Sequence, residues 1–478
     1  MKKNFFKSFE LIISLISIVL CLVSNPINGY NILFLIPLTY FCCRILSKYT
    51  YYDYNKNFGY LVLNFLTFLK YSIMPILIII MEDYYGGVLT SQIPESSYVR
   101  LSIVMLIIEC VNIFFIMELY RRYSMKSTTN TGITREIKIN PAMIVFFVIS
   151  VILVLKYMDS FLPYKFFVID NKYNKVAIDS NVDGLITIFF YLFKLFIMLY
   201  FIQFFIKKYK KSNNFINIIG IIIILILYLG LNTSISRWSL VIPTIIVFYI
   251  LRELWFKNIK NKIVMGTIIL TLIISFVSIS LYKFNWLFKN RDISEVTSKE
   301  VVTILASQIQ EYISGPRAVA QGIQAADIYD KDIDLETMIN DFTGSIPFIS
   351  KFVNQDDRIN IYYNYLLKGT DKEATQIMPM ITIGYSYFSI AFCYVFIDIS
   401  VLLSLYCGNL ANNKKDLFRK YIYSYLCFWL AMCIGFNTQI IFGWFISSFI
   451  PFILVLNVND IFIIKKNTKN ERINILKN

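Results

Sequence analysis

The sequence predicts an all-α polytopic membrane protein of about 12 transmembrane helices with one large helical extracytoplasmic loop. Three observations predict it. Of 478 residues, 57% are apolar and only 16% are charged, where a soluble chain runs nearer half apolar and about a quarter charged. Runs of about 20 residues almost free of charge recur along the chain, each long enough to cross a bilayer as a helix. The basic residues then fall on alternate connections between those runs, the pattern of a chain threaded through a membrane with its cations inside. Together these exclude a soluble enzyme, a disordered chain and a secreted module. The apolar runs lack the alternation of an outer-membrane barrel. The chain has no histidine, which excludes an imidazole base, a histidine metal ligand and a Ser-His-Asp triad.

In order, the spans are expected near 9–23, 31–46, 59–81, 99–119, 141–158, 184–206, 214–231, 238–252, 263–283, 379–404, 421–437 and 443–460. The first has a basic front (Lys2, Lys3, Lys7) like a signal peptide, but it lacks the small residues of a cleavage site and more spans follow. Arg121-Arg122, Lys207-Lys208, Lys210-Lys211, Lys414-Lys415 and Lys465-Lys466 all fall on one side, whereas 24–30, 82–98 and 438–442 carry no Lys or Arg. Both termini are therefore expected inside, with the chain a multi-pass membrane protein. The net charge of +15 belongs to these loops and implies no nucleic-acid partner. The sequence divides into a membrane domain over 1–283, an extracytoplasmic helical loop over 284–378, and a second membrane portion with a cytoplasmic tail over 379–478.

The 284–378 loop has 95 residues, with 14 acids against 9 bases. Connections of this length without function are uncommon in compact proteins. Thr297 to Glu300 forms a capping box, and Val301, Leu305, Ile309 and Ile313 repeat along one helix face. Gly315-Pro316 ends that helix, and Pro316 suits the first turn of the next. A third helix is expected from Asp334 to Gly344. The whole is expected to form a cap on the outer membrane surface. Of the eight cysteines, none falls in an outside loop, and no metal-ligand spacing appears, so neither disulfides nor a metal is expected there.

Charges within spans cost roughly 2.5–3.5 kcal/mol each at a helix centre. Lys70, Glu109, Lys194 and Asp398 are such charges, most simply explained by interhelical pairing. Arg237 is more informative. Hydroxyls at Thr233, Ser234 and Ser236 surround this lone cation in the short junction between the seventh and eighth spans, and a guanidinium's forked donors suit phosphate. Arg317, in Tyr312-Ile313-Ser314-Gly315-Pro316-Arg317, stands in the first turn of a helix, where a cation opposes the dipole unless an anion binds. Arg358 and Arg291 complete the extracytoplasmic arginines clear of the membrane. For each of these the ordinary alternative is a headgroup anchor or a solvated side chain.

The layout resembles the Wzy-type oligosaccharide repeat-unit polymerases across nearly the whole chain. Ser236-Arg237 before an apolar span looks like the Ser-Arg pattern of the O-antigen polymerase and ligase superfamily. Glu311-Tyr312-Ile313-Ser314-Gly315-Pro316 looks like the Tyr-x-Ser-Gly-Pro element of such polymerases' large loop, and Pro379 to Tyr385 resembles their loop exit. Arg358 and Gly369 match an eleven-residue Arg-to-Gly spacing. The related ligases use a loop histidine, absent here, and the acidic pair of C-type mannosyltransferases has no counterpart in the first external loop. The resemblance implies transfer of a growing glycan from undecaprenyl pyrophosphate onto the next lipid-linked repeat unit at the outer face, in a surface or exported polysaccharide pathway. It implies Arg237, Arg317 and Arg358 as cations for the leaving pyrophosphate and Glu311 as the first choice of base, with Asp341, Asp356 and Asp357 behind it. Ser236, Tyr312, Gly315 and Tyr385 are the implied substrate-binding residues. No cofactor is implied; membrane lipids, a flippase and a chain-length regulator are the implied partners. Another lipid-linked-sugar glycosyltransferase and a lipid-linked oligosaccharide flippase are the alternatives.

Overall fold

The computed structural model describes residues 2–48, 57–82, 84, 94–124, 137, 141–161, 164–165, 168–169, 180–232, 237–255, 310–344, 346, 349–369 and 376–461, with isolated positions between 266 and 274. The chain is helical. Its helices are α1 (Lys2–Val23), α2 (Leu35–Leu46), α3 (Phe58–Met81), α4 (Ser96–Ser124), α5 (Pro141–Phe161), α6 (Ser180–Ser212), α7 (Ile216–Gly230), α8 (Trp238–Trp255), α9 (Pro316–Ile328), α10 (Leu335–Thr343), α11 (Ile359–Lys368), α12 (Met380–Phe392), α13 (Val395–Asn413), α14 (Leu417–Ala431) and α15 (Thr438–Ile461). Three two-residue strands, β1 (Tyr164–Lys165), β2 (Val168–Ile169) and β3 (Leu231–Asn232), pair in the order β2-β1-β3, both pairs antiparallel. Among the described residues six helices are long and apolar enough to cross a membrane, and five apolar ones are shorter. Of the expected span at 263–283 only isolated helical positions between 266 and 274 are described, and the capping-box helix through residue 309 lies outside the described residues.

The helices turn apolar side chains outward. On α1, Ile12, Leu15, Ile16, Val19 and Leu22 are exposed, while Glu10, Ser14, Ser17 and Cys21 on the opposite face are buried. Outward apolar stripes with inward polar ones suit lipid surroundings, where polar side chains link neighbouring helices. Glu10 is bound by Arg44 of α2, Nε to Oε2 at 2.5 Å, and by Asn64 of α3. Ser14 bonds Ser72 at 2.7 Å.

The chain divides into two compact units. One comprises Met1–Asn130, Asn290–Asn413 and Leu426–Gly443; the other comprises Thr131–Lys289, Lys414–Tyr425 and Trp444–Asn478. In the first unit, α9 packs lengthwise against α4 and α12. Its small residues permit the approach: at Gly322 a Cβ would come within 2.6 Å of Thr382 Oγ1, and Ala318, Ala320, Ala325 and Ala326 are buried. Helix α9, part of the loop expected to form the outer cap, is thus packed among the other helices of this unit. The Asp327 end of α9 meets Tyr385 of α12 and Tyr98 in the first turn of α4. Twelve residues back, about 18 Å along a helix, Gly315 rests on Met74, where a Cβ would come within 2.7 Å of its sulfur. The start of α9 therefore lies inside the bundle, about 10 Å in from the Met81 end of α3 by helical rise. Helix α10 forms as expected, with Asp334 accepting from Thr337 N at 2.9 Å and Thr337 completing the capping box.

The expected single span over 379–404 is two helices, α12 and α13. Ser389 breaks the helical path with φ 60° and ψ −178°, and the chain then doubles back until the Cys393 carbonyl lies where a Cβ of Gly384 would be. Nine residues of continuous helix would hold those positions about 13 Å apart. Apolar composition across Ser389 hides the break.

In the second unit, α7 and α6 lie against each other, with Gly220 against Phe205 and Leu231 at Lys194. The α7–α8 turn thus sits fourteen residues from the Ser180 end of α6, about 21 Å along it. Both α7 and α8 are among the shorter apolar helices.

Candidate functional site

In the first unit the site is built where two irregular stretches of backbone meet helix ends. Non-helical backbone at membrane depth is tolerated only inside protein or along a water-filled cavity. Residues Tyr312 to Gly315 form the first stretch. Ser314 takes a positive φ of 52°, and Gly315 N closes the turn on the Gln310 carbonyl at 2.8 Å. Gly315 then caps α9 without a side chain, and Pro316 occupies its first turn. Arg317 follows, 1% exposed, with Nη2 3.4 Å from Oε1 of Glu311, whose side chain is 22% exposed. The expected conflict between Arg317 and the helix dipole is thus partly offset by Glu311. Tyr363 of α11 lies within electrostatic reach of both, and burial pushes its hydroxyl well above the usual tyrosine range.

The second stretch is Ile434 to Asn437, buried throughout. The Tyr312 carbonyl lies where a Cβ of Gly435 would be, so only glycine fits that contact. Asn437 Nδ2 donates to Asn360 Oδ1 at 3.4 Å, and the same oxygen accepts from Met378 N at 3.0 Å. Two residues on, Gln439 donates to Asp341. The strip Gly435–Gln439 therefore touches the Arg317 turn at one end and the Asp341 corner at the other.

At that corner Asp341, 1% exposed, accepts from Tyr387 Oη at 2.7 Å and from Ile359 N at 3.2 Å. Burial pushes its carboxyl up to about 6, against the opposing effects of Tyr387, Ile359 N, the Arg358 charge and Gln439. Arg358 is half-buried at the start of α11. Its Nε donates to the Gln355 carbonyl at 2.9 Å, and its side chain lies across Gly344, where a Cβ would sit 3.2 Å from Cδ. Asp357 bonds Thr337, Asn340 and Tyr362, each at 2.9 Å, and so ties α10 to α11. Asp356 is exposed.

Of the expected site residues, Arg317, Glu311, Tyr312 and Gly315 come together; the Gly435–Gln439 strip runs from them to Asp341, and the Arg358 charge acts on Asp341. Tyr385 does not: it donates to Asp327 at 2.9 Å, at the far end of α9. Ser236 lies outside the described residues. Arg237 belongs to the second unit, where it is 6% exposed and its carbonyl accepts the first helical bonds of α8, from Leu240 and Val241 at 3.1 and 3.2 Å. Lys194 donates to the Leu231 carbonyl and lies 4.2 Å from the Tyr228 ring centroid. Sequence reasoning missed Asn360, Asn437 and Gln439; the signal for two of them is Gly435-Phe436-Asn437-Thr438-Gln439, a polar interruption between two apolar runs. Among the described residues no group of three potential metal ligands is present.

No protein-family model, curated protein or solved structure matches this chain.

Proposed function

We propose that this protein polymerises undecaprenyl-pyrophosphate-linked oligosaccharide repeat units at the outer face of the bacterial cytoplasmic membrane, with twelve spans and both termini inside. The observation that carries the reading is Arg317: a guanidinium 1% exposed, in the first turn of a helix that begins among apolar helices. Guanidinium and helix terminus favour an anion together, and a pyrophosphate presented from the lipid phase is an anion at that depth. The layout and the Ser-Arg and Tyr-x-Ser-Gly-Pro patterns point the same way.

In the reaction, a hydroxyl oxygen of the incoming repeat unit attacks the anomeric carbon of the growing chain. The bond from that carbon to the pyrophosphate oxygen breaks, and the pyrophosphate leaves with the electron pair. Arg317 and Arg358 are the cations assigned to the departing charge. The hydroxyl proton passes to a carboxylate. Glu311 is the first choice because it is part-exposed beside Arg317; Asp341 is the second, since burial brings its carboxyl nearer neutrality.

A deletion strain tests this. It should accumulate single repeat units on lipid at the outer leaflet, open to an added glycosidase, and Arg317→Lys should fail to restore polymer at normal protein level. Accumulation on the cytoplasmic leaflet would point to a flippase, and full polymer from Arg317→Lys would remove the bidentate contact from the mechanism.

A further inference from the structure

The buried ion pair of α3 and α4 has no part in the chemistry above, yet it reaches the candidate site. Its position follows from a proline. Pro75 has no N–H to bond the Tyr71 carbonyl four residues back, and its ring crowds that carbonyl. The helix widens to a π turn over Leu69–Ile73 just before it, a local feature that recurs at functional sites. Lys70 lies on that turn. Its ammonium and the Glu109 carboxylate are 1% and 0% exposed. Two of its protons go to Glu109 Oε1 and Oε2, both at 2.8 Å, and the third goes to the Ile434 carbonyl at 3.0 Å.

That last bond is what a simple interhelical tie would not need. Ile434 ends a 3₁₀ turn, Met432–Ile434, where the chain leaves helical geometry and its carbonyl requires a donor from elsewhere. The next residue is Gly435, which receives the Tyr312 carbonyl. From Tyr312 the chain runs three residues to Gly315, and Gly315 rests on Met74, four residues after Lys70. Helix α3 thus holds the Arg317 turn from two sides, by the Met74 thioether beneath Gly315 and by the Lys70 grip on the strip beneath Tyr312.

We infer that Lys70 is a positioning residue: paired with and oriented by Glu109, it clamps the Ile434 carbonyl and thereby fixes the floor on which the Arg317 turn sits. Its consequence for polymer synthesis rests on the proposed function; the clamp itself does not.

The test uses full-length protein whose only cysteine is Cys433, buried next to Ile434, and follows its reaction with a small neutral thiol reagent. Lys70→Met with Glu109→Gln removes both charges together, leaving no uncompensated buried ion, and removes the donor to Ile434. Labelling of Cys433 should accelerate by about 10- to 100-fold, the opening expected when a hydrogen bond from a charged group is lost. Lys70→Arg keeps both charge and donor and should label at the parent rate. Parent-rate labelling of the double variant overturns the inference. Should the double variant be lost from the membrane, the exchanged pair Lys70→Glu with Glu109→Lys decides: it keeps the ion pair but moves the donor, so faster labelling supports the clamp and parent-rate labelling overturns it. In cells, the double variant should lose polymer at unchanged protein level, and Lys70→Arg should retain it. If the deletion strain accumulates repeat units on the cytoplasmic leaflet while Cys433 behaves as stated, the polymerase reading fails and the clamp stands.

Discussion

Asp341 is the group whose titration the structure predicts most directly. Its carboxyl is buried where α10, α11, α12 and the start of α15 meet, and burial raises it from 3.8 to about 6. A carboxyl raised in the folded protein contributes stability that is fully present below the unfolded value and is lost as pH climbs through the folded value. The window is therefore about pH 4 to pH 7. A separation of about two pH units corresponds to about 3 kcal/mol. Asp341→Asn removes the titration and leaves one carbonyl oxygen to accept from Tyr387, Gln439 and Ile359. The lost acceptor costs stability at every pH, so the informative quantity is the slope. Melting of the purified protein, followed by the intrinsic fluorescence of its 5 Trp residues, should fall with rising pH across this window more steeply in the parent than in Asp341→Asn. The divergence should amount to several degrees, given roughly 2–4 °C per kcal/mol in domains of 150–250 residues. Parallel curves would refute the argument, because they would mean that the carboxyl titrates alike folded and unfolded.

Three further outcomes are expected. Gly435→Ala drives a Cβ into the Tyr312 carbonyl, an overpacking of at least about 1–3 kcal/mol, so melting temperature and membrane level should fall, whereas Gly266→Ala, with open space around it, should leave both unchanged. Arg237→Lys keeps the charge without the fork and should retain little polymer synthesis; Arg237→Ala should retain almost none, a loss of about 100- to 1000-fold for one charge-assisted contact in a dry site, with normal polymer at normal protein level excluding the residue. Single cysteines at positions 330 and 352, the latter replacing a phenylalanine that is 90% exposed, should react with an impermeant thiol reagent in intact cells, and cysteines at 127 and 260 should not; labelling at 127 would break the span assignment.

The sequence by itself determined the helical class, because apolar runs and helix signals are local. Gly315-Pro316 starts α9 and Asp334 to Gly344 bounds α10, since a proline in a first turn and an aspartate cap act within a few residues of themselves. Lys70, Glu109 and Arg317 stood out for a similar reason: a charge among apolar neighbours is conspicuous one residue at a time. What they touch was decided only by tertiary structure. Lys70 meets Ile434, 364 residues away, and Gln439 meets Asp341, 98 residues away; no period or cap encodes such pairs. The break at Ser389 escapes sequence patterning because apolar residues continue across it, and the chain reverses only where Gly384 lets the Cys393 carbonyl approach. The depth of Arg317 was equally hidden. It depends on the small face of α9 fitting against α4 and α12, and packing of one helix into a groove made by others is a property of all three surfaces together.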